Sequence, residues 1–346
     1  MLPSLFSIFL DYKCNFWCGH CSVGSSPRTV MPMPRELLLK IMTELREVPT
    51  AKVVVFTGGE ATLRKQLLLE GISLAKAGGY VTRVVSNGGW ATTPERARAM
   101  VRDLKSAGLD ELNTSYDDFH APFASIECIV NLVRAGLEEG LRIGLGVIVD
   151  KNATWDAAAV RHALSEGLGM EIAEIEKRVA ILEDYPTPTG SGEQLDVNGL
   201  DAGDKLNMGC PEVLKTVSLH PNGMVKACCG HAMFYAQDLT LGNLNEERLI
   251  DILTRSQQNL VYWWLHMLGP KRILDKLGVE GTYTSICHAC QALLADHRQA
   301  MLEYLKAHRD EVLLQDVVLG DSLKRISTIV LKRKEEILAQ MRRLES

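Results

Sequence analysis

Three cysteines near the N-terminus, Cys14, Cys18 and Cys21, stand in the run C-N-F-W-C-G-H-C, a C-x3-C-x2-C spacing. One short loop therefore delivers three thiolates to a small volume. A closed structural zinc site takes four ligands, so three is the wrong number for it. Three thiolates suit an iron–sulfur cluster that leaves one iron without a protein ligand, and an open metal position is where chemistry is done.

A second set of cysteines lies in the C-terminal half: Cys210, Cys228, Cys229, Cys287 and Cys290. Pro221-Asn222-Gly223 reads as the turn of a hairpin, which returns the chain so that Cys210 and Cys228 can meet at one centre. Cys287-His288-Ala289-Cys290 is a C-x2-C that can add two ligands, and four cysteines suit either zinc or a fully ligated 4Fe-4S cluster. Cys229 is left over. It reads as a ligand in place of Cys228, a thiol that donates a hydrogen atom, or a small buried residue. Cys128 sits in an apolar stretch and reads as core.

These residues need elements to hold them. Up to about residue 190 the pattern alternates strand and helix. Strands are expected at 7–10, 53–56, 81–85, 111–115, 143–149 and 179–183, with helices at 34–48, 66–77, 94–107, 125–139 and 154–166 between them. Parallel strands need crossovers, so six alternations imply a parallel sheet with all post-strand loops at one end. In barrels of this kind that end carries the chemistry. The cysteine loop, Gly58-Gly59-Glu60, Ser86-Asn87 and the loop from Tyr116 through Asp117 to His120 all follow strands.

In these motifs the chain resembles the radical S-adenosylmethionine (SAM) enzymes. The resemblance covers roughly residues 5–190 and implies a partial (β/α)6 TIM-like barrel, an α/β fold. It further implies that Cys14, Cys18 and Cys21 bind a catalytic 4Fe-4S cluster whose free iron is chelated by SAM. His20 takes the place of the flat residue that packs near the adenine. Gly58, Gly59 and Glu60 match the element that holds the SAM amino group, where glycine permits close backbone approach. Ser86, Asn87 and Ser115 match positions contacting the SAM carboxylate and ribose. The distal cysteines resemble the "twitch" domain, the shorter relative of the SPASM domain. By that resemblance Cys210, Cys228, Cys287 and Cys290 bind one auxiliary 4Fe-4S cluster, with structural zinc as the alternative. An electron donor such as flavodoxin or ferredoxin is implied as a partner.

The expected organisation is a barrel at 1–190, a linker at 191–206, the auxiliary-cluster domain at 207–295 and a helical extension at 296–346. The basic stretch 321–343 reads as a solvated helix face. With a net charge of −5 there is no global pull toward nucleic acid, and no run of apolar residues approaches a membrane span. Nine cysteines without an export signal point to metal or redox chemistry in the cytoplasm.

Function is expected to be radical hydrogen abstraction from a substrate carbon. A net two-electron oxidation or bond formation on a small metabolite of natural-product assembly comes first, because only 13 residues precede Cys14 and leave no room for a leader-binding domain. A ribosomal-peptide maturase, cross-linking or epimerising with Cys229 as hydrogen donor, is the alternative. Tyr116, Asp117, His120, Glu183 and Tyr185 are the candidate substrate residues, being polar groups on loops that face the barrel mouth.

Overall fold

The structure is a computed structural model that describes residues 2–319. Its first part follows the expected alternation: β1 (Leu5–Phe9), α1 (Arg35–Glu44), β2 (Val53–Thr57), α2 (Lys65–Ala77), β3 (Val81–Val85), α3 (Pro94–Ala107), β4 (Glu111–Ser115), α4 (Ile126–Glu138), β5 (Arg142–Ile148), α5 (Ala157–Leu168), α6 (Ile172–Arg178) and β6 (Val179–Asp184). Local chemistry sets several boundaries. Thr93 accepts the Arg96 N–H at the start of α3, Pro94 occupies its first turn, and Gly108 ends it in the left-handed region at φ 108°. Asp156 caps α5 in the same way. The first helix is shorter than its apolar pattern suggests, because the chain tightens into a 3-10 turn at Leu45–Glu47. α6, about two turns long just before β6, has no signal in the sequence pattern.

The six strands pair in parallel in the order β6-β5-β4-β3-β2-β1. Even-numbered residues of the early strands, Phe6, Ile8, Val54, Phe56, Val84 and Leu112, pack with the helices in the larger core. Odd-numbered ones, Ser7, Phe9, Val55, Thr57, Arg83, Val85 and Asn113, line the lumen. The period of two along each strand produces this division.

The sheet does not stop at β1. β7 (Thr216–Leu219) adds to it in parallel, with Phe6 opposite Val217 and Ile8 opposite Leu219. β8 (Met224–Lys226) and β9 (Thr240–Asn243) then continue antiparallel, giving nine strands in one sheet. Pro221-Asn222-Gly223 is the hairpin turn expected from sequence, with Gly223 at φ 86°. What the sequence did not announce is that this hairpin is built onto the barrel.

Beyond it come α7 (Leu249–Ser256), α8 (Leu260–Met267), α9 (Pro270–Lys276), α10 (Ile286–Gln291), a π-helical turn at Ala292–Asp296 and α11 (Arg298–Ala307). They enclose a second core around Trp264, which is fully buried, with Met233, Leu265, Ile273 and Leu293. The basic stretch 321–343 lies outside the described residues. No helix among the described residues is long and apolar enough to cross a membrane.

Candidate functional site

β1 ends at Phe9 and the chain turns through Asp11 into the first cysteine loop. The loop is anchored from below. Gly59 N–H donates to the Asp11 carbonyl at 2.8 Å, and Glu60 N–H donates to the Lys13 carbonyl at 2.9 Å. A Cβ at Gly58 or Gly59 would collide with those same backbone groups, and Gly58 holds φ 150°. The two glycines are thus required to seat the loop as well as to leave room for a ligand. Asp11, buried and bonded to the amides of Lys13 and Met31 and to Arg64, clamps the other side.

Cys14 and Cys18 are buried and Cys21 is half-buried, and all three line one cavity of about 270 Å3. Gly58, Gly59, Ser86, Asn87, Ser115 and His20 line it too. Asn87 Nδ2 donates to Cys14 Sγ at 3.5 Å and to Asn15 Oδ1 at 2.9 Å, so this side chain touches a candidate cluster ligand directly. Burial pushes the Cys14 thiol up to about 11 and the Cys18 thiol to about 12, with repulsion among the three sulfurs adding to the effect. Three cysteines around a polar cavity fit an iron cluster, which takes its protein ligands as thiolates.

Glu60 differs from the expectation. It does not line the cavity. Its carboxylate, almost completely buried, accepts Thr62 N–H and Thr62 Oγ1–H, Ser86 Oγ–H at 2.9 Å and Asn87 N–H at 2.7 Å. Burial raises its carboxyl above the ordinary value against the pull of these bonds. The Glu60 side chain therefore braces the Ser86-Asn87 turn.

The loop after β4 also divides differently. Tyr116 is buried in the larger core, edge-on to Trp155, and burial lifts its hydroxyl to about 12. Asp117 is wholly buried and accepts the amides of Phe119, His120 and Ile148 and the Nδ1 of His120 at 2.8 Å. Burial alone would raise its carboxyl, but His120 and the other partners outweigh it and hold it below the ordinary value. His120 does reach the cavity, beside His20 and His231. Burial drives His20 down to about 4 and lowers His231 as well, so these two imidazoles are neutral near pH 7. Glu183 is no cavity residue: its carboxylate accepts Ala157 N–H and caps α5. Tyr185 also lies away from the lining. Sequence reasoning missed His231 and Ile148: the first sits two residues past Cys229 but reaches this cavity only through the tertiary fold, and the second is an ordinary strand residue with no signal.

The distal cysteines converge as well. Cys228 feels, after burial, the charges of Cys287, Cys290 and Cys210, and Cys290 those of Cys210 and Cys287. Gly230 makes this possible, since a Cβ there would stand 2.7 Å from Cys287 Sγ. Ser285 caps α10 and presents Cys287 and Cys290 from its first turns. Four thiols brought together in this way suit one zinc ion or a fully ligated multi-iron cluster.

Cys229 turns the other way. Its thiol faces Glu212, whose Oε2 accepts the S–H at 3.7 Å, and lines a second cavity of about 360 Å3. Ser7, Thr57, Arg83, Val85 and Asn113 line it with Glu212, and the Oδ1 of Asn113 is buried there without a partner. Thr57 and Val85 belong to both cavities. Burial, then the Glu212 charge, lifts the Cys229 thiol to about 12, so it stays protonated. Cys128 is buried in α4, as the sequence suggested.

An open cysteine loop over a partial parallel barrel, followed by a cysteine quartet, defines a radical enzyme with an additional iron–sulfur domain. The radical SAM superfamily model matches residues 10–156, and that of an iron–sulfur cluster-binding (SPASM) domain matches residues 210–291. With the family come a 4Fe-4S cluster and SAM, and with the second domain auxiliary iron–sulfur ligation. Among curated relatives, the chain is similar to "putative peptide biosynthesis protein YydG" of Bacillus subtilis (strain 168), at 26% identity over 300 residues, covering 83% of this chain and 91% of the relative. It is also similar to GTP 3′,8-cyclase of Helicobacter pylori, at 29% identity over 162 residues, 42% of this chain and 47% of that one. Among solved structures, BtrN in complex with AdoMet and 2-DOIA aligns over 78% of this chain and 87% of its own, at 16% identity and TM-score 0.47.

Proposed function

We propose that this radical SAM enzyme acts on a peptide and inverts a carbon centre in it, with Cys229 returning the hydrogen atom. The observation that carries this reading is the pair of adjoining cavities: the Cys229 thiol faces one, the cysteine triad lines the other, and Thr57 and Val85 are common to both. A substrate carbon at that junction is reachable from two sides.

In this reading Cys14, Cys18 and Cys21 hold the catalytic cluster, and Gly58, Gly59, Ser86, Asn87, Ser115 and His20 surround SAM. Once bound, the cluster and SAM supply a 5′-deoxyadenosyl radical that takes a hydrogen atom from substrate carbon. Cys229 keeps its hydrogen because burial and Glu212 disfavour the thiolate. It gives that hydrogen atom to the substrate carbon from the opposite face, and one electron and one proton then restore the thiol. A low-potential protein such as flavodoxin or ferredoxin is the proposed electron source. Cys210, Cys228, Cys287 and Cys290 hold the auxiliary cluster.

The peptide class rests on the Bacillus subtilis relative, which is matched over 91% of its length and is named for peptide biosynthesis. Oxidation or bond formation on a small metabolite is the second reading, its bond-forming form favoured by the match to a GTP 3′,8-cyclase within the barrel. One experiment separates them. The reconstituted, reduced enzyme is incubated with SAM and a pool of random dodecapeptides in heavy water. Epimerisation yields peptides heavier by one deuterium at an α-carbon together with 5′-deoxyadenosine. Peptides lighter by two hydrogens without deuterium would keep the peptide class and replace epimerisation by oxidation, and no change in any peptide would overturn the peptide reading in favour of the small metabolite.

A further inference from the structure

We propose that the open edge of β6 binds an extended peptide segment, which adds as a further strand and closes the barrel beside the reaction cavity. This rests on the peptide reading above and names the surface that would recruit such a substrate.

The described sheet has two edges, β9 and β6, and they are built differently. β9 is four residues long, half-buried throughout, and its pairing with β8 is broken by an irregularity at Val225/Lys226. Such devices blunt an edge against strand addition. β6 is six residues long and pairs with β5 in unbroken register, from Ile143 opposite Val179 to Ile148 opposite Asp184. Val149 N–H donates to the Asp184 carbonyl at 2.9 Å. A parallel ladder alternates, so Ala180, Leu182 and Asp184 spend their backbone groups on β5. Ile181 and Glu183 therefore turn N–H and C=O outward, where no described strand pairs with them.

The side chains make the same point. Val179 and Ile181 pack against the helix-side core, which puts Ala180, Leu182 and Asp184 on the lumen side. Leu182 is 72% exposed there, the largest such value among the large hydrophobic residues described. An apolar side chain at the middle of an unpaired edge strand is the feature that natural edges ordinarily avoid. Its neighbours on the lumen face are small: Gly144 opposite Ala180 and Gly146 opposite Leu182. A Cβ at Gly146 would meet nothing closer than Ser115 Oγ at 3.5 Å, so the wall beside Leu182 is open.

The strand also leads somewhere. Ile148, the partner of Asp184 at the end of β6, lines the cavity that holds the cysteine triad. A chain laid along β6 runs directly toward that mouth. Main-chain bonds to Ile181 and Glu183 would supply affinity without sequence preference, and inward side chains over Leu182 would select apolar residues. An extended polypeptide is the one ligand class that satisfies both the backbone edge and the apolar wall.

The test uses random dodecapeptides displayed on phage, selected anaerobically on the reconstituted holoenzyme with SAM. Two variants probe the edge. Ile181→Pro removes one outward N–H, a change that an edge position tolerates, and Leu182→Lys places a charge on the wall. Circular dichroism and cluster absorbance check that each remains folded and loaded. Selected peptides are expected to bind either variant about tenfold more weakly than the native enzyme, the loss of one good hydrogen bond or apolar contact. They are also expected to slow hydrogen exchange across residues 179–184. Undiminished binding to both folded variants would overturn the edge proposal and leave the peptide reading standing. Selection of no peptide would overturn both. Peptides that depend on the edge yet take up no deuterium would uphold the edge and defeat the epimerisation reading.

Discussion

The two cysteine sites solve the same chemical problem by opposite routes. The N-terminal loop carries its three thiols within eight residues, Cys14 to Cys21, and leans on backbone contacts with Gly59 and Glu60 for its shape. The C-terminal set is drawn from a loop before β7, the exit of the β8 hairpin strand and the first turns of α10, and leans on packing around Trp264 and Gly230. The first is a local structure that opens onto a cavity, while the second is a tertiary structure enclosed by a core. The difference teaches where function is decided. At Cys228 and Cys229 adjacent residues point to opposite sides, one toward the quartet and one into the barrel.

Several measurements can break or sharpen that contrast. Cys18→Ala removes a triad thiol, and 5′-deoxyadenosine formation is expected to fall to the level of cluster-free protein; activity retained would refute the assignment of the triad. Cys229→Ala is expected to leave SAM cleavage and iron content intact while deuterated product disappears. Cys228→Ala should instead lower iron content, and matching phenotypes for the two would erase the distinction drawn here.

Gly59→Ala drives a methyl into the Lys13 backbone and should cost about 3 kcal/mol, read as a lower Tm and poor cluster loading. Asn87→Ala loses one polar contact at the cavity, so SAM affinity measured by calorimetry should drop about tenfold. The smallest effect concerns Asp117. Its carboxyl is held below 3.8 in the folded protein, so its ionised form stabilises the fold above that value and the benefit fades as pH falls. The stability gap between the native protein and Asp117→Asn is therefore expected to be full near neutrality and to shrink in acid, as followed by thermal melts across pH.

Much of the site could be read from residue types alone, where it depended on spacing. The triad, the glycine pair, the Asn87 turn and the hairpin at Pro221-Asn222-Gly223 each have a local signature, and each lies where that signature suggests. Residues chosen only because they follow a strand fared less evenly. Tyr116 went into the core, Asp117 into bracing its own loop, Glu183 to a helix cap and Glu60 to a turn, because a polar side chain near the mouth can satisfy a neighbour as readily as a ligand. His231 reached the cavity from the far domain, a contact that no spacing along the chain encodes.

By itself, then, the sequence determined the six-fold strand–helix alternation, the presence of two cysteine sites and the family they mark, since these follow from periodicities and short-range spacings. Tertiary structure alone decided that β7 pairs with β1, which carries the hairpin onto the barrel wall and brings Cys229 beside Ser7 and Glu212. It alone left β6 as an exposed edge. Strand pairing at long range depends on which faces can be buried together, and that is a property of the folded whole rather than of any segment.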